Sequence, residues 1–374
     1  MENNSHGKIL RVAIHTVVIT LLAVVLSNTL IYSFTSIVAL KSSIEVKDYQ
    51  ISDLYSAVSD RNPIRTLSDD VILVAVDALS REQITDVIQV VNSASPRAVG
   101  VDILFEYPHV EDSALISVTS AANMVMAAVR YDDTTMLTSY FCDDMEASRV
   151  GITNLEVSSP IDVVRCFRTQ YMVWGIPYNS FASKVATVGG YEAASAVRDG
   201  SYIYFPGLEF RVVEPWMLAE QPERCDSLLK DKIVLIGDME NMQDMHRTPV
   251  GTMSGLQIQA SIIETIVKGH DIQRTSVWVD WAVAILSCVL LVLVNMFLSG
   301  KNLATGKLLL RLAQILLLYL YFWAGCELFA RYGLSVDFAP ALSMIALGLL
   351  AYDIYFGCLV LYKKLIIKQK SGRT

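Results

Sequence analysis

Two blocks of apolar sequence decide what this chain can become. Val12 to Leu40 contains no charged residue, and from Val277 onward three more long apolar runs follow in series. A run of about 18 or more apolar residues crosses roughly 30 Å of hydrocarbon as a helix. A cleaved signal peptide would have a shorter apolar core, of about 7–15 residues, and a small-residue cleavage site. The sequence instead passes through Ile31-Tyr32-Ser33-Phe34, so an uncleaved anchor is expected. Four spans are placed at residues 12–40, 277–299, 308–330 and 338–362, with Trp278 and Trp281 at the start of the second, where interfacial aromatics belong.

Composition supports this division. The chain of 374 residues is 53% hydrophobic and 18% charged, with a net charge of −8. The charge deficit against a soluble domain comes from the apolar blocks, because residues 41–276 have ordinary soluble composition. The acidic balance, and the lack of a basic stripe interleaved with aromatics, argue against nucleic-acid binding.

Orientation follows from lysine and arginine near the spans. Lys8 and Arg11 precede the first, Lys301, Lys307 and Arg311 surround the link between the second and third, and Lys363, Lys364, Lys368, Lys370 and Arg373 follow the fourth. With four spans all three clusters fall on one side. Residues 1–11 and the basic tail 363–374 are thus expected in the cytoplasm, with 41–276 translocated. The tail can fix topology alone or also touch anionic lipid.

Within 41–276, residues 41–69 read as a stalk and entry segment, continuing the first helix through Asp48–Tyr55. Val71–Val76 is a β-branched run suited to a strand buried on both faces. Ser80, Glu82 and Gln83 open a helix carrying Ile84, Val87, Ile88 and Val91, and Pro96 closes it. Ala98–Leu104 is a second strand, and this strand–helix–strand order calls for parallel pairing. A helix over Asp112–Asn123, strands at Met124–Val129, Ser201–Phe205 and Lys232–Gly237, and an amphipathic helix over Gly255–Lys268 complete the reading. The expected fold is an α/β extracytoplasmic domain with a mainly parallel sheet, plus four transmembrane α-helices, one N-terminal and three C-terminal. Residues 132–200 show no clear pattern.

Several of these segments resemble, in series, the CHASE type-2 family of bacterial extracytoplasmic sensory domains. They are Val71–Asp77, Pro96–Phe105, Lys232–Asp238, Asp244-Met-His-Arg-Thr-Pro249 and Gly255-Leu-Gln-Ile-Gln-Ala260. The resemblance covers roughly residues 48–273, and three helices after the domain fit the family's arrangement. It implies a receptor-like sensor in the bacterial inner membrane. Family members that signal in one chain carry a cytoplasmic catalytic domain after the last helix. Here residues 363–374 are too short to fold as one, so a stand-alone form is expected that senses an unknown periplasmic ligand and acts through a separate signalling or envelope protein. A homodimer joined through the first helix and stalk is one arrangement this layout permits.

Strand ends supply the candidate site. In open α/β sheets ligands bind beyond the carboxyl ends of strands, so Asp77, Asp102, Glu106, Asp244 and His246 are expected to share one rim and bind the ligand. Such a cluster can hold Mg²⁺ or Ca²⁺, with His246 extending it toward a transition metal. Equally, the carboxylates can cap helices or brace loops; no spacing here is specific to a metal, and no cofactor is expected. No catalytic set is present: there is no GxSxG, HExxH or GxxxxGK[ST]. Inside the fourth span Asp353 is the functional candidate, because a carboxylate in lipid is costly unless paired, and His15 and Arg311 are the partners considered. Cys142 and Cys166 form a disulfide or remain free buried thiols. Beside the sensor, two other readings stand: a structural or assembly subunit of an envelope complex, and a metal-dependent envelope hydrolase.

Overall fold

The computed structural model describes residues 2–40, 66–110, 112–142, 149–158, 163–192, 197–205, 207–298 and 303–371. The expected helical continuation at Asp48–Tyr55 lies outside them. The chain divides into a helical unit, residues 1–51 with 274–374, and an α/β unit, residues 52–273.

The α/β unit is built on strands β1 (Thr66–Ala75), β2 (Ala98–Asp102), β3 (Met124–Asp132), β4 (Thr135–Thr138), β5 (Val150–Ile152), β6 (Glu156–Ser158), β7 (Val163–Cys166), β8 (Gln170–Val173), β9 (Ile176–Asn179), β10 (Leu208–Val213), β11 (Ile233–Gly237), β12 (Met245–Thr248) and β13 (Gly251–Ser254). The main sheet runs β10-β1-β11-β2-β3-β4, with β5 also on β3. Every pairing in it is parallel except β3 with β4. The chain moves outward from β1 to β2 and β3, returns to β10, and then inserts β11 between β1 and β2.

The strands are uniformly apolar because both faces are covered. Ile72, Val74 and Val76 enter one core with Val234, Ile236, Val99 and Val101. Val71 and Leu73 enter the other with Ile233, Leu235 and Ala98. The helix Arg81–Ser93 seals the first face with Ile84, Val87, Ile88 and Val91. The helices Phe181–Val188 and Gly255–Val267 seal the second. Both long helices begin with a capping box, Ser80 with Gln83 and Ser254 with Gln257.

Two expectations need correction. Ser201–Phe205 is not a strand: its only ladder contacts are isolated bridges at Tyr202, although Ile203 and Phe205 are buried. The helix expected over Asp112–Asn123 stops at Thr119. The unpatterned stretch 132–200 holds short strands, of which β6 and β7 join β12 and β13 in a second sheet. Among the described residues no cysteine is in a disulfide; Cys142 is buried and Cys166 half-buried.

The helical unit contains four helices, Glu2–Leu40, Val277–Leu298, Leu303–Tyr332 and Ala339–Ser371. Each holds a stretch long and apolar enough to cross a membrane: Ile9–Leu30, Val277–Leu298, Leu308–Phe329 and Ala339–Ile367. Small residues let the helices approach, since Ala23, Ala284, Cys288, Ala341 and Ala351 are buried together. Polar contacts tie them: His15 Nδ1 meets the Tyr355 hydroxyl at 2.7 Å, and Gln314 Nε2 donates to the Ile345 carbonyl at 2.7 Å.

Candidate functional site

A cleft of about 450 Å³ opens at the carboxyl ends of β2, β3 and β11, within the α/β unit. Its position follows from strand alternation. Ala98, Gly100 and Asp102 point to the face covered by the helix Gly255–Val267, and the last of them falls where the strand ends. On β11 the register partner of Asp102 is Gly237. A Cβ there would meet Leu256 Cδ1 at 2.9 Å and Asp102 Cβ at 3.3 Å, so glycine keeps the space beside the carboxylate open.

Asp244 enters from the loop between β11 and β12. Its Oδ2 accepts the Gly255 N–H at 3.1 Å, and its Oδ1 lies 3.1 Å from His246 Nε2. It therefore sits over the first turn of the helix Gly255–Val267, where the dipole and unpaired amides favour negative charge. Only glycine permits this approach, because a Cβ on Gly255 would lie 2.7 Å from Asp244 Oδ1 and 2.8 Å from its Cγ.

Asp102 has no such partner. No described residue donates a hydrogen bond to it, and it is half-buried. Burial first, and the nearby negative charge of Asp244 second, push its pKa from 3.8 up to about 7. Removing a carboxylate from water disfavours its charged form, and nothing here offsets that cost.

The structure thus gathers Asp102, Asp244 and His246 around the cleft, together with Asp238. Asp77 and Glu106 stand apart from its lining. Asp77 Oδ1 accepts the Met239 and Glu240 N–H groups, each at 2.7 Å, and so braces the loop that follows β11. Glu106 is exposed beyond the end of β2. Among the described residues no group of three or more His, Cys, Asp or Glu is arranged to hold a metal ion.

Sequence reasoning missed two lining residues. Gln259 is 3% exposed and donates through Nε2 to the Thr153 carbonyl at 2.9 Å. Asn154 clamps the backbone of Arg130, accepting its N–H at 2.7 Å and donating to its carbonyl at 2.8 Å. Gln259 lies in the Gly255–Ala260 segment that carries the family resemblance, which was the available signal. Asn154 lies in the unpatterned stretch and had none.

Asp353 lies on an exposed face of the helix Ala339–Ser371 and has no hydrogen bond or ion pair with any described residue. His15 pairs with Tyr355 instead, and Arg311 donates to Gln314 Oε1 at 3.0 Å.

A three-layer α/β domain with a cleft at the carboxyl ends of its strands, in a chain with four apolar helices, defines a membrane protein with a folded α/β domain. The CHASE2 domain model matches residues 24–297, from within the first apolar helix to within the second. The chain belongs to that family of sensory extracellular domains. Neither a curated protein nor a solved structure matches it.

Proposed function

We propose that this protein is a membrane-anchored sensor that takes an envelope cue into the cleft beside Asp102 and passes the change to a separate partner protein through its membrane helices. The cleft carries the proposal. It has the size of a small-molecule site, and it sits where β11 is inserted between β1 and β2, at the kind of strand-order reversal where open α/β sheets bind ligands. Positive-inside asymmetry supports a bacterial inner-membrane location with both ends cytoplasmic and the cleft outside. Asp353 supports the partner, since an unpaired carboxylate on a lipid-facing surface is costly and a partner helix relieves that cost. Signalling requires that the cue bind one state of the protein more tightly than another.

The same exposed Asp353 face favours a second reading, a subunit of an envelope complex whose outer domain docks protein. A photo-crosslinking residue at Leu350 or Ile354, both exposed beside Asp353, separates the two. The sensor reading expects one protein partner whose crosslinking changes in Asp102→Asn or Asp244→Asn. Crosslinking to a partner at constant yield in both variants supports the assembly role, and crosslinking to lipid alone refutes a helix-borne output.

A further inference from the structure

The groups set back from solvent in the cleft without a donor are acceptors, while the amide donors of its lining, Asn241 and Gln243, lie exposed at its rim. Its lining contains three carboxylates, Asp102, Asp238 and Asp244, and no lysine or arginine. Asp244 is already engaged by the Gly255 N–H and His246, and Asp238 accepts the Glu240 N–H at 3.2 Å. Asp102 accepts nothing from any described residue. Gln259 repeats the pattern independently: it is 97% buried, taking its 3% exposure from the whole, and its Nε2 is committed to the Thr153 carbonyl. That bond fixes which end of the amide is which, and it leaves Oε1 without a donor. Oε1 accepts from no described residue, and the side chain that carries it lines the cleft. Buried polar groups are nearly always satisfied. Here a carboxylate and an amide oxygen, both acceptors, wait for donors.

We propose that the cleft is a receptor site for a small organic cation, an ammonium or guanidinium group on an apolar body, with Asp102 as its counter-ion and Gln259 Oε1 as a second acceptor. This rests on the sensor reading and names its ligand class. An ammonium brings three N–H donors and a guanidinium five, with the charge that makes a carboxylate hydrogen bond strong. The apolar body has a wall to lie on, formed by Leu104, Ala127, Val129, Leu155 and Val157. An anion is disfavoured although a helix begins here, because Asp244 already occupies that helix end. A bare metal ion is disfavoured because hard cations take six or more oxygens, while the described residues offer no three-ligand group.

The test compares probes sharing one apolar chain: pentylamine, 1-pentanol and pentanoate, with MgCl₂ as a metal arm. Binding is measured by calorimetry on the full chain in lipid nanodiscs. Pentylamine is expected to bind roughly tenfold or more tightly than pentanol, the scale of a charge-assisted hydrogen bond. Asp102→Asn should abolish that preference with circular dichroism unchanged, and Gln259→Met should weaken it partially. Preference for pentanol or pentanoate, tighter binding of Mg²⁺, or amine binding untouched by Asp102→Asn each overturns the cation assignment while leaving a cleft-borne sensor intact. No binding of any probe, together with partner crosslinking indifferent to cleft variants, overturns both.

Discussion

Replacing Asp102 with asparagine should stabilise the α/β domain, and should do so more strongly as pH rises. Burial, reinforced by Asp244, raises the Asp102 pKa from 3.8 to about 7. The folded state therefore holds this proton more tightly than the unfolded chain does. The resulting stability is fully present below pH 3.8, is lost progressively as pH rises through about 7, and changes no further above that. At about 1.4 kcal/mol per pH unit, the distance between the two values corresponds to a penalty of roughly 4 kcal/mol on the charged form. This is an upper figure, because Asp102 keeps partial contact with solvent through the cleft. Asparagine keeps the shape and removes the charge. Between pH 5 and 8 the advantage of Asp102→Asn should therefore grow by up to about 2–3 kcal/mol. In a domain of this size each kcal/mol moves Tm by about 2–4 °C, so the Tm gap should widen by roughly 5–10 °C. Thermal unfolding in nanodiscs, followed by near-ultraviolet circular dichroism, reads this directly. A gap that stays constant over that range, or a variant less stable than wild type at pH 8, would refute the reasoning.

The pentylamine affinity should rise over the same pH interval as Asp102 ionises, with Asp238, Asp244 and His246 the other titratable groups facing the probe; calorimetry at successive pH values checks it, and an affinity that falls contradicts it. Gly255→Ala places a Cβ against the Asp244 carboxylate and should cost about 1–3 kcal/mol, seen as a lower urea midpoint together with loss of the amine preference. Asp112→Ala should cost about 2–4 kcal/mol, because its Oδ2 accepts from Tyr140 at 2.7 Å and from the His109 N–H and Arg81 at 2.8 Å. Burial alone would raise the Asp112 pKa, but those bonds and the Arg81 charge outweigh it and hold it below the ordinary value. Its contribution is therefore present above about pH 4 and lost on acidification, so the cost of the substitution should shrink in acid.

The sheet was legible because its physics is local. Val71–Val76 alternates between two cores, and only a strand covered on both faces tolerates such a run. The helix start at Ser80 was equally plain, since a capping box needs just four residues. Ser201–Phe205 misled because apolar composition reports burial, not pairing; Ile203 and Phe205 pack into a core while the backbone makes scattered hydrogen bonds and bridges at Tyr202 alone, with no continuous ladder. Strands of three or four residues, such as β5 to β9, are too short for any period to show. At the cleft, Asp102 was suggested by its place at a strand end, and Asp244 by the Asp244–Pro249 segment that carries the family resemblance. The idle oxygen of Gln259 was not readable, because it depends on a carbonyl far away in sequence, that of Thr153. Asp77 shares the strand-end position of Asp102, yet its oxygen is consumed by the loop after β11, a distinction only tertiary structure makes.

Whether the cleft faces the outside decides the function, and cysteine labelling answers it in one experiment. In a background with the native cysteines replaced by serine, Met242→Cys and Lys364→Cys are treated in spheroplasts with a membrane-impermeant maleimide. Met242 is 84% exposed in the cleft-bearing domain, and Lys364 lies in the basic segment at the end of the last apolar helix. Labelling at 242 in intact spheroplasts, with 364 labelled only after lysis, is the predicted result. Labelling at 364 with 242 protected would place the sensory domain in the cytoplasm and contradict a sensor of the envelope.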